Sequence, residues 1–479
     1  MKVLYGVAEY YPLVKTGGLG DAAGAYTKAL SKRHKVYAVL PGYSKIDRKK
    51  YGFKPVKGFE LSIPIGDRDV KGYVEKAELD KNLTIYLICN DEYFDRENLF
   101  GDGVTPYKDN AERFLFFSRG ILELAAYLKE IDVIHLNDWH TAIGMFYLKE
   151  FYKKIGKIDK KVKSVFTIHN LGYQGIFWQY DMYLLNVDWK YFNPEGLEFY
   201  NHINYLKSGI IYSDIVTTVS PTYAKEIQTP EFGFGLDGVL RKRADNLFGI
   251  LNGVDYSVWH PWRDKFIPYK YNKKLFDRKL KNKIALQKEL GLEVNPEQPM
   301  LVMVSRLIDQ KGIDLITPVF DMLVDLGVQI VILGTGEKHY VDFFNWKEHQ
   351  FKGKVVGYMA YNEEVAHKLY AAGDIYLMPS KYEPCGLSQM YAMKYGTVPV
   401  VRNTGGLKDT VIDIDEGIEK ATGFKFEYYS PYAFYEAVRK AVTLYKTNRE
   451  EFKKLALNGM DTKFTWEKTV KEYIKLYKK

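Results

Sequence analysis

The chain has 479 residues, 46% hydrophobic and 27% charged, with a formal charge of +9 and two cysteines; at about 150 residues per domain this length asks for two or three domains. A near-average apolar fraction without low-complexity tracts excludes wholesale disorder, no window approaches the ~18 consecutive apolar residues of a membrane helix, and Cys89 and Cys385 alone make no disulfide framework. The cations are scattered among 60 acidic residues, which fits a solvated surface better than a nucleic-acid footprint.

The first residues, Met1 to Ala8, meet Glu9 too soon for a secretory leader and read as a β-strand, Val3 to Ala8. A cytoplasmic location is therefore expected. A glycine-rich loop follows, then the helical pattern Ala22 to Arg33 and a strand at Val36 to Leu40. Further apolar runs bounded by polar turns occur at Leu83 to Ile88, Val133 to Leu136, Val165 to Ile168 and Ile215 to Val219, with a helical stretch at Ala111 to Lys129. The alternation restarts after a basic, aromatic stretch from Trp259 to Lys283. Strand Met300 to Val304, helix Ile313 to Leu326 and strands Gln329 to Leu333, Asp374 to Met378 and Val398 to Val401 follow. Strands alternating with helices indicate βαβ units and parallel sheets, and two sequential α/β sheets fit better than one very large one. The chain ends in a helical pattern, Glu467 to Lys478, whose Val470, Tyr473, Ile474 and Tyr477 share a face that must pack on a sheet. Lysine far outnumbers arginine and glutamine is scarce, a tendency of heat-adapted proteins.

Lys15-Thr16-Gly17-Gly18-Leu19-Gly20-Asp21-Ala22-Ala23-Gly24 joins the first strand to its helix. Glycines there let backbone N–H groups approach a phosphate or sugar at a helix N-terminus. A dinucleotide fingerprint is disfavoured, because Glu9 to Thr16 separate strand from first glycine and the second strand ends Leu40-Pro41-Gly42-Tyr43, with no acid for a ribose.

Other strand ends carry capable residues: His135-Leu136-Asn137-Asp138-Trp139-His140, His169-Asn170, Ser305-Arg306 with Lys311, Gly334-Thr335-Gly336, and Pro379-Ser380-Lys381-Tyr382-Glu383-Pro384-Cys385-Gly386. Each alone reads equally well as a capped loop or a hydrogen-bonded core residue. Together, one half offers Asp and His and the other offers two cations, a glycine turn and a carboxylate. Cations beside glycine-rich amides suit a diphosphate, whose departing charge Arg306 and Lys311 could hold without a metal. Asp67-Arg68-Asp69 and Asp413-Ile414-Asp415 look like turn or surface charge, and His135 and His140 lack a partner cluster for zinc. A paired-carboxylate glycosidase is conceivable, but a nucleotide-like cradle argues for transfer.

Lys15 to Asp21, Asn137 to Thr141, Thr167 to Asn170, Ile250 to Asp255, Ser305 to Leu307 with Gln310 to Gly312, Glu383 to Leu387 with Gln389, and Asn403 to Leu407 with Asp409 to Val411 resemble the signatures of the bacterial and plant glycogen/starch synthase family. The resemblance implies a GT-B fold: an N-terminal Rossmann-like, acceptor-side domain at 1–247 and a nucleotide-sugar domain at 248–459, facing across a cleft, with helix 460–479 returning to the first. It implies retaining transfer of glucose from ADP-glucose to the 4-hydroxyl at the non-reducing end of an α-1,4-glucan, with no cofactor, metal, nucleic-acid or membrane partner. Glu383, Asp138, His169, Arg306 and Lys311 would be catalytic. Glu383 would hydrogen-bond the glucosyl hydroxyls and offset charge at the anomeric carbon, and Arg306 and Lys311 would grip the diphosphate. Lys15, Gly17 and Gly18 would approach the donor, Asn252 would lie beside the sugar, and the amides of Cys385, Gly386 and Leu387 would meet sugar and phosphates. Tyr361 would stack on adenine, with Asp21, His140, Asn170, Gly334, Thr335, Thr404 and Gly405 around the substrates. The wider group of retaining GT-B transferases often has a second glutamate eight positions after the first; here that position is Tyr391, and the glycogen synthase branch normally lacks this second acid. A UDP-glucose or dual-donor synthase, a GT-B transferase with another acceptor, and a non-catalytic glucan-binding protein are the alternatives.

Overall fold

Short aliphatic runs bounded by polar turns become strands buried on both faces, the condition a parallel sheet imposes. The computed structural model describes residues 1–103 and 105–479, and the chain divides into two units, Met1–Gly253 with Trp466–Lys479, and Val254–Thr465.

In the first unit the strands are β1 (Lys2–Gly6), β2 (Lys35–Pro41), β3 (Lys54–Ile65), β4 (Arg68–Asp80), β5 (Leu83–Cys89), β6 (Val133–Asn137), β7 (Lys163–Ile168), β8 (Ile176–Trp178), β9 (Glu198–Phe199), β10 (His202–Asn204), β11 (Ile215–Thr218) and β12 (Leu247–Gly249). Among the described residues, nine of them form one sheet in the order β12-β11-β7-β6-β1-β2-β5-β4-β3. It is parallel from β12 to β5. Strands β4 and β3 add an antiparallel hairpin at one edge. The sequence reading missed that hairpin because β3 and β4 keep much of their length exposed and so present no apolar run. The remaining three strands form a small antiparallel sheet.

From β1 the chain builds outward through β2 and β5, then returns to place β6 on the other side of β1. The carboxyl ends of β1 and β6 therefore lie at a topological switch point, where successive loops diverge and open α/β sheets bind ligands.

The second unit holds β13 (Met300–Val304), β14 (Gln329–Leu333), β15 (Val355–Tyr358), β16 (Ile375–Met378), β17 (Val398–Arg402) and β18 (Phe424–Phe426). Their order is β15-β14-β13-β16-β17-β18, parallel throughout, with the switch point between β13 and β16. The helix expected over Ile313 to Leu326 is three pieces, Ile313–Ile316, Thr317–Val319 and Phe320–Asp325, because Pro318 cannot donate to a continuous α-helical ladder.

The last helix, Trp466–Tyr477, packs on the first unit. Trp466 and Tyr473 lie edge-on to Tyr26, at 6.2 and 5.0 Å between ring centroids. Tyr477 Oη meets Tyr26 Oη and His135 Nδ1, both at 2.6 Å. The unit limits fall later than the expected 247/248 and 459/460 boundaries. Strand β12 pairs Val216 with Leu247 and Thr218 with Gly249, which keeps that segment in the first sheet, while the helix Arg449–Asp461 belongs to the second unit. Among the described residues no helix is long and apolar enough to cross a membrane.

Candidate active-site residues

After β1 the chain runs through a loop before the helix Gly18–Ser31 opens. Glu9, which the sequence reading did not single out, organises that loop. Its buried carboxylate accepts Thr16 N–H at 2.5 Å, the Thr16 hydroxyl at 2.9 Å and Gly17 N–H at 3.1 Å. Burial raises its pKa against the lowering effect of those three bonds. The Gly17 amide, assigned by the resemblance to the donor, thus donates to Glu9 here. Gly17 and Gly18 are exposed, and a Cβ on Gly17 would meet nothing within 4 Å. Gly20 and Gly24 serve packing instead: a Cβ there would fall 2.6 Å from Lys15 Cβ and 2.1 Å from Tyr11 O. Lys15 Nζ donates to Asp21 Oδ1 at 2.8 Å and lies 4.9 Å from the centre of the Tyr11 ring.

At the end of β6, Asp138 caps the helix Trp139–Tyr147 with a positive φ of +56°, uncommon outside glycine though Asp and Asn are enriched at positive φ. Its N–H donates to Thr167 O at 2.9 Å, and its Oδ1 accepts the His169 N–H at 2.7 Å. Burial lifts the Asp138 pKa to about 7, opposed by the backbone hydrogen bonds of His169 and Asn170 and assisted by the nearby Glu9 charge. A carboxyl group so tuned changes charge near neutrality, a property concentrated at functional sites. His169 is half-buried; burial drops its pKa to about 3, so its ring is neutral. Asn170 Oδ1 accepts Gly172 N–H at 2.9 Å and shapes the turn.

His140 lies among aromatic rings, with centroids 4.0 Å from Trp139, 4.6 Å from Phe100 and 4.9 Å from Phe114. Burial, then the Arg113 charge, lowers its pKa to about 3, and its buried Nδ1 lacks a hydrogen-bond partner among the described residues. Asn252 is buried just beyond β12. His135, in the same sequence motif, has both ring nitrogens engaged, by Tyr477 and by Thr167 Oγ1 at 2.6 Å, and is a core residue.

In the second unit Lys311 and Glu383 come together: Nζ donates to Glu383 Oε2 at 2.7 Å, with both side chains largely buried. Ser380 donates to the same oxygen at 3.0 Å. The bend that delivers Lys311 needs Gly312, which has φ +74° and whose added Cβ would fall 2.1 Å from Pro379 O. Arg306 follows β13 and is exposed. Gly334 follows β14 so closely against Ser305 that a Cβ would fall 1.8 Å from Ser305 O, and Thr335 O accepts Leu307 N–H at 3.0 Å.

The loop after β16 is held from inside. Gln389 Nε2 donates to Cys385 O, Gly386 O and Thr410 Oγ1, each at 3.0 Å. Gly406 N–H donates to Glu383 O at 2.9 Å, and a Cβ on Gly406 would fall 2.0 Å from Cys385 O. Cys385 is buried, Gly386 has φ +72°, and Leu387 caps the helix Ser388–Lys394. Thr404 caps the helix Gly405–Thr410. The two helix starts and the Glu383 loop thus meet at one edge of the switch point. Tyr361 is 71% exposed, so its ring is not taken up by core packing. Tyr391 is stacked on Trp259, which stacks on His367, at 4.0 and 3.9 Å between ring centroids; this position serves packing. The organisers Glu9, Ser380 and Gln389 act mostly within their own loops, three to eight positions from their partners, and residue type alone does not announce those bonds.

Residues 2–242 match the family model described as the starch synthase catalytic domain, and residues 288–458 match that of glycosyl transferases group 1. The glycogen synthases of Thermosipho melanesiensis and Bacillus cereus (strain Q1) are each 43% identical over 482 residues, covering 100% of this chain and 99% of theirs. The solved catalytic domain of starch synthase IV from Arabidopsis thaliana, bound to ADP and acarbose, is similar at a TM-score of 0.91 and 33% identity, covering 100% of this chain and 98% of that one. A sucrose-phosphate synthase from Thermosynechococcus elongatus shares the fold at a TM-score of 0.62 and 17% identity.

Proposed function

Because the chain belongs to the glycogen and starch synthase family, with its GT-B fold and glucosyltransferase activity, we propose that it elongates an α-1,4-glucan with glucose from ADP-glucose, retaining the anomeric configuration and releasing ADP. The observation that carries this reading is the buried Lys311–Glu383 pair at the carboxyl end of β16, which sets a cation for a diphosphate beside a carboxylate for a sugar. ADP on the Arabidopsis relative supports an adenine nucleotide as donor.

In this mechanism Arg306 and Lys311 take up the negative charge that develops on the departing diphosphate. Glu383, held by Ser380, keeps a carboxylate near the anomeric carbon as it becomes positive. Lys311 changes partner from Glu383 to the phosphate as the donor arrives, which turns the carboxylate toward the sugar. In the first unit, Asp138 and His169 are the proposed contacts for sugar hydroxyls. The position eight after Glu383 is the packed Tyr391 and supplies no second carboxylate; as membership of the family implies, the acceptor's 4-hydroxyl gives its proton to the leaving phosphate oxygen on the same face. No step is assigned to a metal.

The test is a panel of ADP-glucose and UDP-glucose with glycogen as acceptor, with and without EDTA, following nucleoside diphosphate release and glucan length. ADP release with lengthened chains, unaffected by EDTA, is expected. Preference for UDP-glucose would overturn the donor, release without lengthening would overturn the acceptor, and near-parental turnover in Glu383→Ala would overturn the role of that carboxylate.

A further inference from the structure

The two ring nitrogens of histidine are distinct, and the one that carries the proton decides what the residue can offer a ligand. In His169 the choice is made by Asn137, a fully buried residue at the end of β6. Asn137 Nδ2 donates to Gly6 O at 3.0 Å, which leaves Oδ1 as the amide atom that faces the His169 ring. That oxygen accepts the Tyr5 hydroxyl at 3.1 Å and lies 2.9 Å from His169 Nε2. An amide oxygen cannot donate, so Nε2 must carry the hydrogen. Nδ1 of this neutral ring is then an acceptor. It makes no hydrogen bond among the described residues and is not sealed from solvent. The backbone of His169 is held separately, by Asp138.

We propose that Asn137 is a positioning residue of the active site: it locks His169 as the Nε2–H tautomer, so that Nδ1 receives a hydrogen bond from a substrate hydroxyl. The proposal rests on the reading of His169 as a sugar-contacting residue. It adds a rule of selectivity, because a substrate group at that position must be a donor, and an ether or fluorine there leaves Nδ1 unpartnered. The signal lay in the Asn137-Asp138 motif, but only the return of β7 beside β6 aims the amide at the imidazole.

The test is a long-range proton–nitrogen NMR correlation of the full chain labelled with ¹⁵N-histidine, with His169→Gln to assign the resonances. The parent is expected to show His169 with Nε2 protonated and Nδ1 bare; a protonated Nδ1 would overturn the proposal. In Asn137→Leu the tautomer should become mixed and kcat/KM should fall about tenfold, the rate equivalent of one neutral hydrogen bond. Asn137→Asp retains an acceptor for Nε2 and should keep the parental tautomer. An unchanged tautomer in Asn137→Leu would show that another group sets it. If Asn137→Leu does not fold, the parental spectrum and Asn137→Asp still decide the matter. The spectra need no turnover, so failure of the tautomer assignment is separate from failure of the proposed reaction.

Discussion

Replacing Asp138 with Asn probes the electrostatics at the end of β6. The pKa of Asp138 rises from 3.8 to about 7 on folding, first because burial strips water from the carboxylate and then because Glu9 adds like charge. At ~1.36 kcal/mol per pH unit this corresponds to roughly 4 kcal/mol of folding free energy. Between about pH 4 and pH 7 the folded chain holds a proton that the unfolded chain has released, so stability falls as pH rises through that window. Asn has no charge to bury, keeps an oxygen for the His169 N–H and accepts the positive φ. Asp138→Asn should therefore match the parent near pH 4 and exceed it by up to about 4 kcal/mol at pH 8, raising the melting temperature of its transition by several degrees, while glucosyl transfer falls. Scanning calorimetry at pH 4.5 and pH 8 measures this directly. An equal difference at the two pH values, or a variant less stable than the parent at pH 8, would refute the reasoning.

Tyr477→Phe removes a hydroxyl that joins Tyr26 to His135 and should cost about 1–3 kcal/mol by leaving buried partners unsatisfied; an unchanged urea midpoint would contradict that. Gly24→Ala drives a Cβ to 2.1 Å from Tyr11 O, a backbone atom, whereas Gly17→Ala enters open space. The first should therefore destabilise by about 1–3 kcal/mol and the second by far less, as thermal melts of the two will show. Lys311→Ala should lower kcat by about 10²–10³, the size expected for a group that stabilises charge mainly in the transition state, with circular dichroism unchanged; a loss confined to KM would show uniform binding instead.

Most of the parallel strands were legible because they are largely apolar runs, and β13 and β14 match the expected Met300 to Val304 and Gln329 to Leu333 end to end, whereas β12, β15 and β18, only three or four residues long, were not read. The hairpin β3–β4 was not, because its partly exposed residues carry no such run, and Pro318 broke a helix that periodicity alone had extended. The returning helix announced itself through an apolar stripe, but only packing shows that Tyr477 ends on Tyr26 and His135 rather than on aliphatic side chains. The chemistry-bearing residues at strand ends were visible by type, since glycine, lysine and carboxylate residues stand out from apolar strands. Their pairing and protonation were not, because Asp138 is pushed to about 7 by burial and by Glu9, and Glu383 meets Lys311 across 72 positions. By itself the sequence determined two α/β sheets and the kind of chemistry at their edges, since apolar periodicity and residue type are local properties. Tertiary structure alone decided which carboxyl holds a proton, which amide is already occupied and which ring nitrogen is bare, because each depends on desolvation and on partners that only the folded chain brings within hydrogen-bonding distance.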